Sequence, residues 1–275
     1  MLLFFFFFLH LPFTSSFLPP CLASRPSPKS KTNSSRVVFR CGDGEQSSLS
    51  SSRNFEYFPG KPRWRRQEAP ARLSYAFSPD NTIDYLSPSD VRQSFRRAFG
   101  RWSAVIPVSF AEAEEYGYAD IKIGFYSGDH GDGEPFDGVL GVLAHSFSPE
   151  SGRFHLDAAE RWAVDFRAEK SKVAVDLESV AVHEIGHVLG LAHSWARDAV
   201  MFPSLKPRKR KVELSLDDIR GVQALYGSNP NFTVGSLSES DISTNRAVGV
   251  AWLGSSQRLR LLALCSSFLL LSLQL

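Results

Sequence analysis

The sequence predicts an α+β fold in a single globular unit. The first observation is an amphipathic helical pattern at residues 87–105. The second is a set of short segments in which apolar and polar residues alternate, as they do in half-buried strands. The third is a pair of later helical segments that end at glycines, Gly190 and Gly227. No internal repeat interrupts this organisation.

Three helices are expected. In the first, Ser87 is a suitable N-cap and Pro88 suits the first turn. Its apolar residues fall at helical spacing: Val91, Phe95, Ala98, Phe99 and Trp102. The second helix contains "VAVHEIGHVLG". The third, "SLDDIRGVQALYG", begins at Ser215 and has acidic residues in its first turn, where they complement the helix dipole.

Five segments are expected to form strands. Their alternation is clearest in "RLSYAFSP" and "ADIKIGFYS", and the full set is 72–79, 108–113, 119–127, 139–147 and 152–159. Residues 128–138, "GDHGDGEPFDG", are too polar and too rich in glycine for a core element and are expected to form a loop.

The composition narrows the classes of function. The formal net charge is +2 and 43% of the residues are apolar. A packed core is therefore expected, whereas nothing in the overall charge favours nucleic acid as a partner. We expect a monomer.

Both ends of the chain are apolar. Residues 1–23 have an apolar run followed by the small residues of "CLAS", which is typical of a secretory signal peptide; a buried N-terminal strand is the alternative. Residues 259–275 follow a group of small residues and have the layout of a GPI-anchor signal. A plain hydrophobic tail anchor is the alternative. The sequence therefore predicts a protein on the outer face of the plasma membrane.

The cysteines are few. Cys21 lies in the expected signal and Cys265 in the expected anchor signal, which leaves Cys41 without an internal disulfide partner. A lone thiol in a secreted chain requires either a partner or a chemical role.

The segment "HEIGHVLGLAH" has the composition of a catalytic zinc site. Residues four apart lie on one face of a helix, so His183 and His187 can bind one ion. Gly190 can end the helix in a left-handed turn, and His193 can then return as a third ligand. Three imidazoles leave a position for water, and Glu184 is placed to accept its proton. Histidines that only pack or cap a helix are the alternative.

Several segments together resemble the matrix metalloproteinases, metzincin zinc proteases, and most closely those of plants. They are "RWSAVIPVSF", "ADIKIGFYSGDHGDGEPFDG", "LAHSFSP", "GRFHLD", "VAVHEIGHVLGLAHS", "MFP" and "DDIRGVQALYG". Met201 matches the methionine turn of that superfamily, although a core-filling role is the commoner one for a single methionine. The resemblance implies a zinc endopeptidase with a twisted, mixed five-stranded sheet and three helices.

The resemblance also implies further metal sites. A structural zinc would be held by His130, Asp132, His145 and His155, so that every histidine outside the signal would bind zinc. A calcium ion would be held by Asp137, Gly138, Leu140, Val142, Asp157 and Glu160, whose oxygen ligands suit that ion. A solvated acidic loop is the alternative. Because the stretch between His145 and His155 is short, a second calcium site is not expected, and Asp120 would lack its partners.

The N-terminal region of the sequence departs from the family pattern. In the family, a Pro-Arg-Cys-Gly segment at the end of a helical prodomain blocks the zinc, whereas "FRCGDGE" keeps only Arg40, Cys41 and Gly42. Only residues 24–40 separate Cys41 from the expected cleavage site, which implies a truncated prodomain. Cys41 is a candidate latency ligand, and an inert relic is the alternative.

The expected organisation is therefore a signal peptide (1–23), a residual propeptide or disordered segment (24–54), a catalytic domain (55–229), a linker (230–258) and the anchor signal (259–275). Asn231 and Asn33 lie in glycosylation sequons. The basic run at 206–211 is expected near the pocket for the residue after the scissile bond, and Leu205 suggests that this pocket prefers apolar side chains. The expected function is hydrolysis of extracellular matrix or wall proteins. The alternative is a catalytically silent surface protein that keeps the fold for binding.

Overall fold

The computed structural model describes residues 21–23, 39–41, 54–66 and 70–233. Met1–Phe232 forms one compact unit, and of the second unit, Thr233–Leu275, only Thr233 is described. Almost all of the predicted signal peptide, the propeptide segment and the linker, together with Asn33 and the whole anchor segment, lie outside the described residues. For Cys41 the backbone alone is described.

Most strands precede the second helix along the described chain. The strands are β1 (Cys21–Ala23), β2 (Phe39–Cys41), β3 (Phe55–Tyr57), β4 (Ala71–Phe77), β5 (Val108–Glu112), β6 (Ile121–Tyr126), β7 (Ala144–Ser146), β8 (Arg153–Asp157), β9 (Trp162–Ala163), β10 (Val175–Asp176) and β11 (Leu191–Ser194). The helices are α1 (Pro88–Val105), α2 (Leu177–Val188) and α3 (Leu216–Tyr226), with one 3₁₀ turn at Tyr116–Tyr118.

The central layer is a mixed five-stranded sheet in the order β5-β4-β6-β8-β7. The first four strands run parallel, and the edge strand β7 is antiparallel to β8, with His145 opposite His155. This sheet and the three helices confirm the fold class that the sequence predicts. The register places two histidines side by side at the edge of the sheet.

Helix α1 forms where its pattern predicts. The Ser87 hydroxyl accepts a hydrogen bond from the Asp90 N–H, and Pro88 occupies the first turn. Its buried face includes Phe95 and Trp102, neither of which is exposed to solvent. The Trp102 indole donates to the Val182 carbonyl at 2.9 Å, which joins α1 to α2. Burial of this aromatic face supplies much of the apolar driving force that holds α2 in place.

Three short strand pairs were not predicted. β1 pairs antiparallel with β2, and β9 pairs parallel with β10. β3 pairs antiparallel with β11, which carries His193, so the third histidine of the motif lies on a strand. These strands have two to four residues, too few for an alternating pattern to be recognised.

One expectation needs correction. Residues 139–147 form a strand only at Ala144–Ser146, because the preceding residues make a loop in which Leu140 has a φ of 60°. Asp120, for which calcium co-ligands are not expected, pairs instead with the Arg66 guanidinium and accepts from the Ser74 N–H and hydroxyl. Arg66 thus provides positive charge at a carboxylate for which the sequence suggests no cation.

Among the described residues, no helix has both the length and the apolar character needed to cross a membrane.

Candidate metal centres and active site

Helix α2 presents the first two histidines from a buried position. Asp176 caps its N-terminus by accepting from the Ser179 N–H at 2.8 Å, and every residue of the helix is buried. The helix ends at Val188 with Leu189 as its C-cap, and Gly190 follows with a φ of 103°. A side chain at Gly190 would also overlap the Pro62 carbonyl, so glycine is required there for two reasons. The turn directs the chain into β11.

His183, His187 and His193 come together as the motif predicts. One ring nitrogen from each lies within 4.8 Å of the others. The His183 Nδ1–H donates to the Val200 carbonyl and the His187 Nδ1–H donates to the Leu191 carbonyl, both at 2.7 Å. These bonds fix the orientation of both rings.

The three imidazoles fit a cation. Burial lowers the pKa of His187 to about 4 and those of His183 and His193 well below the usual value, so all three rings are neutral. Since Nδ1 carries the single proton of His183 and of His187, their Nε2 atoms face each other with lone pairs at 3.1 Å. The His193 Nε2 atom is buried without a hydrogen-bond partner among the described residues. Lone pairs this close repel one another unless a cation lies between them. Neutral nitrogen ligands suit zinc.

Glu184 lies beside this cluster and is 1% exposed. Burial raises its pKa to about 8, while a hydrogen bond from Ser146 lowers it. The Ser146 hydroxyl is 2.7 Å from Glu184 Oε2 and 3.0 Å from the Glu184 carbonyl oxygen. Ser146 has no distinguishing sequence signal, and sequence reasoning did not select it.

Met201 lies directly beneath α2. A Cβ at Gly186 would overlap the Met201 sulfur, so the glycine inside the motif leaves room for the methionine. Asp218, at the start of α3, accepts from the N–H groups of Val200 and Met201 at 2.9 and 3.1 Å. Burial raises the pKa of Asp218 to about 6, although hydrogen bonds from Ser215, Val200 and Met201 lower it. Asp218 therefore holds the turn whose Val200 carbonyl orients His183, and sequence reasoning missed this residue too.

A cavity adjoins the histidine cluster. His183 forms one wall, and the other lining residues are Ser179, Val200, Phe202, Ser204, Leu205 and Lys211. Leu205 and Lys211, the last residue of the basic run, both line this cavity, and their place in a specificity pocket stays a prediction. Val200, Phe202 and Leu205 make the apolar part of its wall.

The second cluster gathers His130, Asp132, His145 and His155. A single oxygen, Asp132 Oδ2, lies 2.8–2.9 Å from one nitrogen of each imidazole. Burial alone raises the pKa of Asp132, but the Glu134 N–H and His145 outweigh this effect and bring it to about 2. Burial lowers the pKa of both His145 and His155 to about 4.

This second set also fits a cation. The His130 Nδ1–H donates to the Gly128 carbonyl, which orients its Nε2 toward the Asp132 carboxylate. Three nitrogens and one oxygen make a closed four-ligand set, which is typical of structural zinc.

The residues expected to bind calcium enclose one loop. Asp157 Oδ2 accepts from the Gly138 N–H, Asp137 Oδ1 from the Val142 N–H, and Glu160 Oε1 from the Gly141 N–H. Burial raises the pKa of Glu160 to about 7, and its Oε2 is buried without a partner among the described residues. These three carboxylates are not among the described groups that converge within 4.8 Å. Asp157 and Glu160 are buried and form no ion pair among the described residues, whereas Asp137 is exposed. Two buried acids of this kind fit an oxygen-bound cation.

Asn231 is exposed and precedes the last described residues, whereas Asn33 and the Cys41 side chain are outside the described part of the chain.

The fold and the main site define a metzincin-type zinc peptidase domain. Two histidines on a helix, a third after a glycine turn, a glutamate between them and a methionine beneath make up this arrangement. A family model described as matrixin matches residues 63–227. The chain belongs to the matrixin family.

Curated relatives support this assignment. The chain is 62% identical over 227 residues to Metalloendoproteinase 4-MMP of Arabidopsis thaliana, a match that covers 81% of this chain and 66% of that protein. It is 57% identical over 196 residues to Metalloendoproteinase 1-MMP of the same plant, covering 71% and 53%. Matrix metalloproteinase-20 of Homo sapiens is 39% identical over 183 residues, covering 65% and 35%. The chain thus spans between about half and two thirds of the two plant proteins.

Proposed function

We propose that the protein is a zinc endopeptidase that hydrolyses peptide bonds with Glu184 as general base. The observation that carries this proposal is the approach of two lone-pair-bearing Nε2 atoms, on His183 and His187, beside a buried glutamate. Family membership and the names of the metalloendoproteinase relatives support it.

A bound zinc ion would supply a Lewis acid and a lowered pKa for the attacking water. His183, His187 and His193 would hold it, with two rings locked by backbone carbonyls. Glu184 would accept the proton of the water and deliver it to the leaving amine, because its burial makes it a stronger base than an exposed carboxylate. The buried surroundings limit competing solvent at the carboxylate.

The other metal ions would be structural. We assign a second zinc to His130, Asp132, His145 and His155, and calcium to the loop around Asp137, Gly138, Leu140, Val142, Asp157 and Glu160. Both sets join loop residues to strand β8 or to the turn after it. Ions at these positions would hold the edge of the sheet beside the active site.

Protein substrates would place the side chain that follows the scissile bond in the cavity beside His183. Val200, Phe202 and Leu205 favour an apolar side chain there. We propose extracellular matrix or wall proteins as the substrate class, since the expected signal peptide and sequons suit a secreted protein.

We also propose attachment to the outer face of the plasma membrane through a GPI lipid, supported by the apolar composition of residues 259–275. Phosphatidylinositol-specific phospholipase C should then release the protein from intact cells. Protein that stays on the membrane and retains the 261–275 peptide in mass spectrometry would contradict the anchor. Cys41 remains a candidate latency ligand, and Asn231 and Asn33 remain candidate glycosylation sites.

Hydrolysis of a quenched peptide tests the main proposal. The purified protein should cleave the peptide, lose activity to a zinc chelator and regain it when zinc is restored. The competing function is a silent surface-binding protein with the same fold. Protein that binds zinc but turns over no peptide in a varied set would favour that function.

A further inference from the structure

Ser146 links the edge of the sheet to the acid beside the metal cluster. It is the last residue of β7, and its side chain points into the interface with α2, where neither Ser146 nor Glu184 is more than 1% exposed. Its hydroxyl lies within hydrogen-bond distance of two oxygens of one residue, the carboxylate Oε2 and the backbone carbonyl of Glu184.

A serine hydroxyl has one proton to donate. The bond to Oε2, at 2.7 Å, is shorter than the one to the carbonyl, at 3.0 Å. The shorter distance assigns the hydroxyl proton to Oε2 rather than to the backbone carbonyl. No other described side chain donates to Glu184, and its Oε1 has no hydrogen-bond partner among the described residues.

One carboxylate oxygen is thus held while the other is left for chemistry. A glutamate side chain has three rotatable bonds, so a general base on a helix needs a contact that selects one rotamer. Ser146 provides that contact from a strand rather than from the helix itself. The same strand carries His145 of the second cluster, so any shift of β7 would also move the acid.

We propose that Ser146 is a positioning residue for the reaction: its hydroxyl fixes Glu184 Oε2 so that Oε1 faces the attacking water. This inference rests on the proposed peptidase function. The competing role is a simpler one, in which the hydroxyl only binds a buried carbonyl and joins the strand to the helix. The two roles predict different kinetics, because a joining role affects stability and metal content while a positioning role affects kcat.

The test compares Ser146→Ala with Ser94→Ala in the full-length protein. Ser94 is also fully buried and its hydroxyl donates to a helix carbonyl, that of Asp90, but it lies on α1 away from both clusters. Ser146→Ala should lower kcat about tenfold, a part of the contribution of a general base, and leave KM and zinc content unchanged. Ser94→Ala should leave kcat unchanged. Ser146→Thr, which restores a hydroxyl, should recover part of the loss.

The outcomes separate this inference from the proposed function. Native kcat in Ser146→Ala, or a loss of kcat that Ser94→Ala reproduces, overturns the positioning role. A wild-type protein that cleaves no peptide instead overturns the peptidase function, and a Glu184→Gln variant as active as wild type overturns the general-base role on which the inference rests. Should Ser146→Ala fail to give zinc-bound protein, Ser146→Cys takes its place, since it is similar in size and a weaker donor. Its kcat should then fall below that of wild type, and a native value overturns the inference.

Discussion

The two histidine clusters contain the same kind of side chain but suit different chemical roles. Both hold neutral imidazoles, because burial lowers the pKa of His145 and of His187 to about 4. In the α2 cluster three nitrogens converge without a carboxylate ligand, and the nearby acid, Glu184, stands outside the ligand set. In the sheet-edge cluster a carboxylate, Asp132, is itself one of four converging groups.

The residues around the two clusters also differ. Backbone carbonyls orient His183 and His187, and a cavity opens beside them. At the sheet edge the rings are stacked instead. The centroid of the Phe136 ring lies 4.8 Å from that of His145 and 5.0 Å from that of His130, and the Phe136 and His130 rings are nearly parallel. A metal-ligand set that leaves one position for water is suited to catalysis, whereas a closed set of four ligands packed by aromatic rings is suited to stabilising the fold. Ligand count and neighbours therefore distinguish the clusters better than the histidines themselves do.

The largest expected effect is on activity at the α2 cluster. Glu184→Gln should reduce kcat by about 10²–10⁴, because an amide cannot accept the proton of the water. The amide oxygen can still accept from Ser146, so zinc content and melting temperature should stay near native values. Peptide hydrolysis, metal analysis and calorimetry on one preparation would check this. Near-native turnover with zinc bound would refute the general-base role.

The second-largest effect should be a loss of stability when the sheet-edge cluster is altered. His145→Ala should lower the free energy of unfolding by roughly 3 kcal/mol or more, because it removes a buried ligand and leaves a cavity. The zinc content measured by metal analysis should fall from two ions per chain to one. His187→Ala is the matched control and should remove activity with the smaller loss of stability. Active wild-type protein with a single zinc would eliminate the second site.

A smaller effect is expected where α3 supports the α2 cluster. Asp218→Asn should destabilise the fold by about 1–3 kcal/mol, since its amide cannot accept from all the donors that surround the carboxylate. The Val200 carbonyl should then orient His183 less well, and kcat should fall several-fold. Asp90→Asn, at an exposed position in the first turn of α1, is the control. Equal effects of the two substitutions would argue against a role for Asp218 in the site.

The smallest effect tests the stacking at the sheet edge. Phe136→Leu should cost about 1 kcal/mol of stability and weaken zinc retention in a chelator titration, with kcat unchanged. Phe110→Leu is a matched control, because Phe110 packs on Phe99 at 4.7 Å in another part of the sheet. It should lower the melting temperature to a similar extent without affecting zinc. If both variants retain zinc equally, the stacking does not support the metal cluster.

Local chemistry explains which parts of the fold could be predicted. Ser87 and Ser215 cap their helices as expected, and Gly227 ends α3 with a φ of 83°. These features depend on a few neighbouring residues, and the sequence contains them directly. The pairing of β3 with β11 depends instead on residues far apart, and strands this short have no recognisable period.

The residues of the candidate sites also fall into those that the sequence could predict and those that it could not. His183 and His187 could be paired from helical spacing alone, and the four groups at the sheet edge could be assembled through the family resemblance. Ser146 and Asp218 could not be found, because their partners are set by how β7 and α3 pack against the metal-binding segments. A serine that touches a carboxylate has the same local sequence as one that touches only solvent.

The attachment of β11 to β3 has a consequence for the order of folding. His183 and His187 are neighbours as soon as α2 forms, whereas His193 is held on a strand that pairs with β3, more than 130 positions earlier in the chain. The adjacent bond from the Trp195 indole to Glu56 spans 139 positions, and closing so long a loop costs entropy before it brings any gain. By this entropic argument, a nascent chain would complete its three-histidine set only after β3 and β11 have paired, later than the pair on α2.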